Sequence, residues 1–230
     1  MIIPHFINYP LHGAKQQAFK ILIFIVKLIS EKENKNPQGI ANIIQLASLM
    51  NKSSQRTEST INNLYQIIDA RPLVNLPILP IIEKYPLNDQ FIMGYLDGDG
   101  SFYVSFKANK RIEFGFNIVG SIEYLYFFMD IKNFFNCGTV KPKSSTIVRY
   151  DLESKKAIRS ILIPFIDQYT LYTHKKVHYS IFKEVFSLCD KGIHKNEEGF
   201  RKILELAYNM NKGGKRRSYS LEEYLVLYLK

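Results

Sequence analysis

The chain has 230 residues and a mass of 26.8 kDa, with 46% hydrophobic and 23% charged residues, so it can form one large domain or two smaller ones and is neither fibrous nor disordered as a whole. Lysine and arginine number 31 against 21 acidic residues, and the resulting formal charge of +10 favours a polyanionic partner or an anionic membrane surface. The longest apolar stretch, residues 21–29, contains Lys27 and is shorter than the roughly 20 residues that cross a bilayer, so no membrane span is predicted.

The first fifty residues are predicted to be helical, and they are repeated later in the chain. Shifting the sequence by 160 places aligns residues 3–52 with residues 163–212 without a gap, and 16 of the 50 pairs are identical. The identical pairs include Lys15 and Lys175, Asn36 and Asn196, and Gly39 and Gly199. The shared pattern predicts a helix, a polar turn that contains glycine, and a second, shorter amphipathic helix.

Residues 71–88 are predicted to form a linker. Four prolines, at positions 72, 77, 80 and 86, interrupt an apolar stretch that cannot hold a regular helix. The predicted organisation is therefore a helical segment over residues 1–70, this linker, and a mixed domain over residues 89–230.

The mixed domain is predicted to begin with a helix and two strands. Asn88 or Asp89 can cap a helix that runs through Leu96 and ends at the sequence Asp97-Gly98-Asp99-Gly100. Apolar and polar residues then alternate in two stretches, which predicts a hairpin with one buried and one exposed face. The later predicted elements are a helix over about 122–135, short strands around 139–143 and 146–152, and the repeated pair of helices.

Gly94 and Gly98 lie on one face of the first predicted helix. Because glycine has no side chain, two such helices could pack closely and bring their C-terminal ends together, each with its carboxylates. A carboxylate next to an accessible carbonyl, such as Asp99 next to Gly98, offers the oxygen ligands that Mg²⁺ prefers. The sequence thus predicts a magnesium site at the end of this helix.

The nine residues from Ile92 to Gly100 resemble the signature motif of the LAGLIDADG homing endonucleases. Four positions match the motif outright, namely Gly94, Asp97, Asp99 and Gly100, and the apolar positions match in kind. Residues 136–140, 163–164 and 169–175 are similar to further stretches of that family, so the resemblance covers about residues 88–212. It implies an α+β fold of order αββαββα with a curved antiparallel DNA-binding sheet, preceded in residues 1–70 by a helical remnant of a second domain.

The resemblance also implies an activity and the residues that carry it. The chain would be an intron-encoded, site-specific DNA endonuclease that makes Mg²⁺-dependent double-strand cuts and so promotes intron mobility. Asp99 and the Gly98 carbonyl would bind the metal, and Lys175 would stand near the catalytic centre, with Lys176 as its competitor. Asp97 would bind backbone amides, although direct metal contact is an alternative. The interface with a second motif helix would contain Phe91, Gly94, Tyr95 and Gly98.

In the same family the exposed face of the sheet lies in the major groove of DNA. By position, the residues implied to contact double-stranded DNA are Tyr103, Ser105, Lys107, Asn109, Arg111, Asn117, Lys141, Lys143 and Arg149. Such a mixture of amide, hydroxyl and cationic side chains can bind base edges, whereas a face of lysines alone would only follow phosphates. An ordinary solvated sheet face is the alternative for any one of these residues.

Two other metal sites are not supported by the sequence. A calcium loop beginning at Asp97 would need a glutamate at its twelfth position, where Ala108 stands. His174 and His178 lie four residues apart on one helix, but the sequence offers neither a third zinc ligand nor the glutamate of a metalloprotease.

Two departures from the family pattern leave alternatives open. Val119-Gly120-Ser121 stand where many members have a polar residue, often glutamine, that orders water around the metal. The sequence contains one motif, whereas cutting both strands requires two opposed acids. The second acid could come from a homodimer or from a front-half domain encoded upstream or supplied in trans. The alternative is a non-cleaving binder, either an intron-splicing maturase that binds intron RNA or a catalytically decayed relic.

Composition also bears on localisation. Isoleucine, asparagine, lysine, tyrosine and phenylalanine are abundant, and their codons are rich in A and T. Residues 1–10 show no secretory signal. The sequence therefore suggests an organelle-encoded protein, with the mitochondrion preferred over the chloroplast.

Overall fold

The computed structural model of the chain describes residues 2–50, 57–73, 83–107, 110–210 and 219–229. Its contacts divide the chain into two units, Met1–Pro86 and Leu87–Lys230. The boundary falls within the proline-containing segment that the sequence predicts as a linker. Among the described helices, none combines the length and the apolar character needed to span a membrane.

The first unit is helical. Its helices are α1 (Ile2–Asn8), α2 (Ala14–Ser30), α3 (Pro37–Met50) and α4 (Glu58–Ile67). A small core of Ile21, Ile25 and Leu46 joins α2 to α3. Helix α4, which the sequence analysis did not predict, begins at Thr57, whose side chain accepts a hydrogen bond from the Thr60 amide.

The second unit contains a four-stranded antiparallel sheet covered on one face by helices. The strands are β1 (Gly100–Phe106), β2 (Ile112–Ser121), β3 (Thr139–Pro142) and β4 (Ile147–Leu152), in the order β1-β2-β4-β3. The helices are α5 (Asp89–Asp99), α6 (Leu125–Phe135), α7 (Lys155–Ala157), α8 (Ile163–Asp167), α9 (Lys175–Asp190), α10 (Glu197–Asn209) and α11 (Leu221–Leu229). This mixed architecture agrees with the predicted fold class.

Apolar alternation in the sheet places one face of it in the core. Ile112, Phe114, Phe116 and Ile118 of β2 are all buried, as the sequence predicts. The rings of Phe182 and Phe186 on α9 pack on this face, with Phe182 5.3 Å from Phe102 and Phe186 5.0 Å from Phe114 between ring centroids. Contacts between large aromatic rings thus join α9 to the buried face of the sheet.

Helix α5 begins and ends where the sequence predicts. The side chain of Asn88 caps it by accepting a hydrogen bond from the Phe91 amide at 2.8 Å. At the other end the helix continues through Gly98 to Asp99, within the predicted terminal sequence. It ends at Gly100, whose amide donates to the Leu96 carbonyl. Contacts with another part of the unit, described below, satisfy the last carbonyls of the helix.

The internal repeat is visible in the structure at the same spacing of 160 residues. The pair α2 and α3 corresponds to α9 and α10, and the short 3₁₀ turns between them, Glu33–Lys35 and Ile193–Lys195, are equivalent. In each copy an asparagine side chain, Asn36 or Asn196, accepts from the amide of the glycine three residues later at 2.7 Å. A Cβ on either glycine would lie about 2 Å from a backbone oxygen of the turn, at 2.0 and 2.1 Å. These close approaches explain why both copies keep the same asparagine and glycine.

Two helical segments of the second unit were not predicted. Ser154 begins α7 by accepting from the Ala157 amide, and a π-helical turn, Ile158–Leu162, leads into α8. The wide turn stands just before Pro164, which has no amide to donate and would crowd a regular helix. Helix α11 was missed as well. It packs on α10 and on the sheet, where the Tyr228 hydroxyl donates to the Phe106 carbonyl at 2.9 Å.

Replacing Gly100 by alanine is expected to destabilise the second unit by about 1–3 kcal/mol through overpacking. A Cβ at this position would lie 2.6 Å from both the Leu96 carbonyl oxygen and the Phe116 ring. The matched control is Gly94→Ala, because a Cβ there meets nothing within 4 Å and alanine favours a helix interior by about 1 kcal/mol. Urea unfolding measures both, and equal stabilities of the two variants would contradict this account.

Candidate active site

The candidate site lies where α5 ends and β1 begins, and a buried carboxylate holds this corner in place. Asp97 is 8% exposed and accepts hydrogen bonds from the Tyr172 amide at 2.9 Å and from the Thr173 hydroxyl at 2.6 Å. The Thr173 amide also donates to it at 3.2 Å. Burial acts to raise the pKa of Asp97, but these hydrogen bonds outweigh it and hold the pKa below its usual value. Asp97 therefore binds the loop before α9, which is the amide-binding role that the sequence analysis preferred for it.

Lys175, at the start of α9, binds the carbonyl end of α5. Its Nζ donates to the Asp97 carbonyl at 3.1 Å and to the Gly98 carbonyl, and the residue is 9% exposed. These are carbonyls that have no partner within the helix, and a cation is favoured at this end of the helix dipole. Burial lowers the pKa of Lys175, while the charges of Asp99 and Asp97 act in the opposite direction. Lys176, its predicted competitor, is exposed.

Asp99 is exposed at the last position of α5, directly after the Gly98 carbonyl. The Tyr95 ring lies one turn earlier, and burial, the charge of Asp99 and a hydrogen bond with it together raise the pKa of the Tyr95 hydroxyl. Burial also raises the pKa of Tyr124, with contributions from Glu123 and Asp99. Asp99 is thus an accessible carboxylate with two tyrosines nearby.

The donor set at this corner fits half of a site for a hard divalent cation. Asp99 offers a carboxylate and Gly98 a carbonyl, and both are oxygen ligands of the kind that Mg²⁺ takes together with several waters. Lys175 uses one lone pair of the Gly98 oxygen, which leaves the other. Within the described ranges, no three His, Cys, Asp or Glu side chains cluster closely enough to bind a metal ion.

The predicted interface residues fall into two groups. Gly94 and Gly98 are exposed, and a Cβ on either would meet nothing within 4 Å, so their shared helix face is open. Phe91 and Tyr95 are half-buried and pack on α6, with ring centroids 6.0 and 5.0 Å from that of Phe127. Packing within the unit is thus a sufficient explanation for these two rings.

Strand register brings most of the predicted DNA-contacting residues onto the sheet face opposite the helices, which we call the open face. Tyr103 pairs with Gly115, and Arg149 pairs with Val119 on one side and Lys141 on the other. By the same alternation the open face also carries Ser105, Lys107, Arg111, Asn117 and Lys143. Asn109 lies outside the described residues. Alternation along the strands therefore predicted that these side chains share one face, and their contact with DNA stays a prediction.

Three carboxylates also lie on the open face. Glu113 forms ion pairs with Lys107 at 3.1 Å and Arg111 at 3.0 Å. Asp151 is buried and accepts from the Arg149 Nε at 2.7 Å, and Glu153 accepts from the Tyr103 hydroxyl at 2.6 Å. The sequence analysis overlooked Asp151 and Glu153, for which the alternation of Arg149, Asp151 and Glu153 along β4 and directly after it was the available signal. The acids hold several of the basic and aromatic side chains in fixed positions.

Tyr103 lies across the middle of the open face. A Cβ at Gly115 would come within 2.2 Å of its ring, so glycine is required at the paired position for the ring to lie there. Burial and the hydrogen bond to Glu153 raise the pKa of its hydroxyl. The Tyr103 ring therefore packs flat against β2, and its hydroxyl, bonded to Glu153, forms part of the open face.

His174 and His178 form a ring contact at 5.2 Å between centroids. Burial, His174 and Lys175 lower the pKa of His178. Within the described ranges, no His, Cys, Asp or Glu joins this pair to make a group of three metal ligands.

The profile of the LAGLIDADG endonuclease family matches residues 92–186, which include α5, the whole sheet and most of α9. The second unit is a LAGLIDADG endonuclease domain. A probable intron-encoded DNA endonuclease of Mycosarcoma maydis is 28% identical over 184 residues, covering 76% of this chain and 68% of that protein. A probable intron-encoded endonuclease of Neurospora crassa is 26% identical over 212 residues, covering 90% of this chain and 46% of its own length.

A solved structure is also similar to this chain. The LAGLIDADG homing endonuclease I-LtrWI, bound to its target DNA, superimposes with a TM-score of 0.80 at 29% identity, covering 94% of this chain and 71% of that one. A more distant relative from Saccharomyces cerevisiae, 20% identical over 212 residues, covers 82% of this chain and 42% of its own length and is named as a mitochondrial protein.

These comparisons confirm the family and the fold inferred from the sequence, and the curated relatives are themselves named as endonucleases. The chain spans about two thirds of the Mycosarcoma maydis relative and less than half of the Neurospora crassa one.

Replacing Asp97 by asparagine is expected to lower the free energy of unfolding by about 2 kcal/mol at pH 7, because an ionised acceptor of several hydrogen bonds is lost. The folded pKa lies below the unfolded value of about 3.9, so the carboxylate stabilises the fold above that pH and loses its contribution as the pH falls through the folded pKa. The difference between wild type and Asp97→Asn should therefore narrow below about pH 4.

Glu184→Gln is the control, since this acid of α9 is exposed and forms no comparable hydrogen bonds with the described part of the chain. Urea unfolding across pH measures both variants. A constant difference between wild type and Asp97→Asn down to pH 3 would contradict the assigned role.

Proposed function

We propose that this chain is part of a site-specific endonuclease that hydrolyses phosphodiester bonds in both strands of a DNA target and so promotes intron mobility. The observation that carries the proposal is the position of Asp99, an accessible acid at the end of the motif helix, where β1 of the basic sheet begins. The curated relatives of the chain are named as probable intron-encoded endonucleases, and the net charge of +10 suits a polyanionic substrate.

The proposed metal is Mg²⁺, held by the Asp99 carboxylate and the Gly98 carbonyl. A divalent cation at such a site lowers the pKa of bound water and neutralises charge on the leaving oxygen. What this chain supplies is the rigid placement of the two oxygens, since Asp97 and Lys175 fix the last turn of α5.

Lys175 is proposed to contribute by position and charge. Its ammonium binds the two carbonyls at the end of α5, next to Asp99, so it adds positive potential where a scissile phosphate would lie. The residues proposed to contact DNA are those of the open face, with Lys143 and Lys141 exposed toward the backbone phosphates and the central side chains toward base edges.

We propose that the second acid comes from another motif helix, in a front-half segment that packs on the first unit. In the second unit the sheet covers α9, where Phe186 is 3% exposed and Cys189 is 7% exposed. The equivalent residues of α2 are Val26, which is 40% exposed, and Ile29, which is 46% exposed. Lys15, the equivalent of Lys175, is also exposed. The first unit therefore exposes, on α2, the positions that in α9 pack on the sheet and bind the end of α5. A homodimer through Gly94 and Gly98 is the alternative assembly.

A non-cleaving nucleic-acid binder, such as an intron-splicing maturase that binds intron RNA, is the second candidate. The observation that favours it is Val119, 45% exposed on β2, with Gly120 and Ser121 after it, where a polar water-ordering residue would assist hydrolysis. This function would use the same open face without Asp99 chemistry.

We also propose a mitochondrial origin for the chain. A relative is named as a mitochondrial protein, and the residue composition suits an AT-rich organellar gene.

Replacing Asp99 by asparagine should abolish cleavage, with a loss of at least about a hundredfold, because a ligand of the metal is removed. Binding of the same DNA in Ca²⁺ should change little. The measurement is cleavage of a plasmid that carries the uninterrupted insertion site of the intron, in Mg²⁺ and after EDTA.

The matched control is Asp89→Asn, since Asp89 lies at the opposite end of the same helix and accepts a hydrogen bond from Tyr169. It should retain cleavage. Full activity of Asp99→Asn would refute the proposed chemistry, and tight RNA binding without any nicking by the wild type would favour the maturase.

Supplying a front half should complete the enzyme. Fusing a second copy of residues 87–162 in front of residue 3 gives two full copies in the register of the repeat. The fusion should unfold at higher urea than the parent chain and linearise the plasmid, because α2 gains a sheet and the site gains a second acid.

The control fusion carries Asp99→Asn in the added copy alone, and it should nick a single strand. Linearisation of the plasmid by the unfused chain would instead support the homodimer.

A further inference from the structure

We propose that Arg149 recognises one guanine of the target and that Asp151 is the positioning residue that orients it. This inference rests on the proposed function, and it concerns which side chain of the open face selects sequence rather than merely binding phosphate. No part of it depends on cleavage.

The first observation is the place of the pair. Arg149 and Asp151 stand two residues apart on β4, so both point to the open face, and β4 lies between β2 and β3 in the sheet. Asp151 is flanked by Asn117 and Thr139, and Arg149 by Val119 and Lys141. The pair is therefore central, away from the sheet edges.

The second observation is how the two side chains meet. The Arg149 Nε donates to Asp151 Oδ2 at 2.7 Å, and the exposed fractions of the two side chains are 35% and 8%. Asp151 is thus almost fully withdrawn from solvent, while the guanidinium stays accessible. Arg149 has no other hydrogen-bond partner among the residues that the structure describes.

The geometry of the guanidinium then limits what it can bind. The five N–H groups form a rigid planar fork, and the Nε–H is used by Asp151. The end of the fork, with one N–H from each terminal nitrogen, remains available for two parallel hydrogen bonds. In the major groove guanine presents two adjacent acceptors, O6 and N7, and bidentate binding of them by arginine is the commonest specific contact.

The buried acid adds orientation and charge balance. Because Asp151 is desolvated, its partner is held strongly, and an arginine fixed in this way loses less conformational freedom on binding than a free side chain. Asp151 Oδ1 has no hydrogen-bond partner within the described residues, so Arg149 is the cation that balances this carboxylate. Among the residues that the structure describes, no acid forms an ion pair with Lys141 or Lys143, and the two lysines suit phosphate contacts.

The test is selection of binding sites from a randomised double-stranded DNA library in Ca²⁺, with wild type and variants compared position by position. Wild type should prefer G·C at one position, and Arg149→Lys should lose that preference by about 5- to 150-fold while other positions keep theirs. Asp151→Asn should relax the same position by about tenfold, because the neutral amide orients Arg149 less well.

Lys143→Gln is the comparison variant. It should weaken binding uniformly across sequences and reduce the salt slope by about one unit, without relaxing any position. If Asp151→Asn does not fold, as judged by thermal unfolding, Arg149→Lys carries the test by itself.

Uniform weakening by Arg149→Lys, with all positional preferences intact, would show a phosphate contact and overturn the inference. Relaxation by Arg149→Lys but not by folded Asp151→Asn would overturn the positioning role. If wild type enriches no sequence at all, the proposed function fails, and this result is distinct from both of the others.

Discussion

The fold around the candidate site depends on the way the last turn of α5 is held. A helix end leaves carbonyls without partners, and here the ammonium of Lys175 binds two of them while the Asp97 carboxylate binds the loop that leads to Lys175. The two interactions connect α5 to the start of α9, one through a cation of α9 and the other through an anion of α5. Asp99 can remain exposed at this point because its neighbours, not Asp99 itself, hold the corner together.

The open face shows the same division between fixed and accessible groups. Its acids do more than repel the phosphates of DNA, since each of them binds a basic or hydroxyl group of the same face. A surface with formal positive charge can in this way keep defined side-chain positions. Ordered side chains cost less entropy on binding, which favours discrimination among sequences over general attraction to phosphate.

The sequence predicted what depends on local pattern. The alternation of apolar and polar residues predicted β1 and β2 with their buried residues, and Asn88 was one of the two candidate caps of α5. The repeat predicted the helix pairs of both units. The sequence could not predict what holds the end of α5, because the groups that bind Asp97 and Gly98 come from residues more than seventy positions away. For the same reason Asp151 looked like one more polar residue, since its burial is set by two neighbouring strands. Helix α11 has mostly apolar residues without a clear period, and its position depends on the hairpin that it covers.

The gap-free spacing of the repeat has a consequence for how such proteins change. Because Asn36 and Gly39 build the same turn as Asn196 and Gly199, the segments before the two helix pairs are attached at equivalent points. The two helix pairs are therefore equivalent supports, and a segment that precedes one of them in the chain could be joined to the other without a change of register.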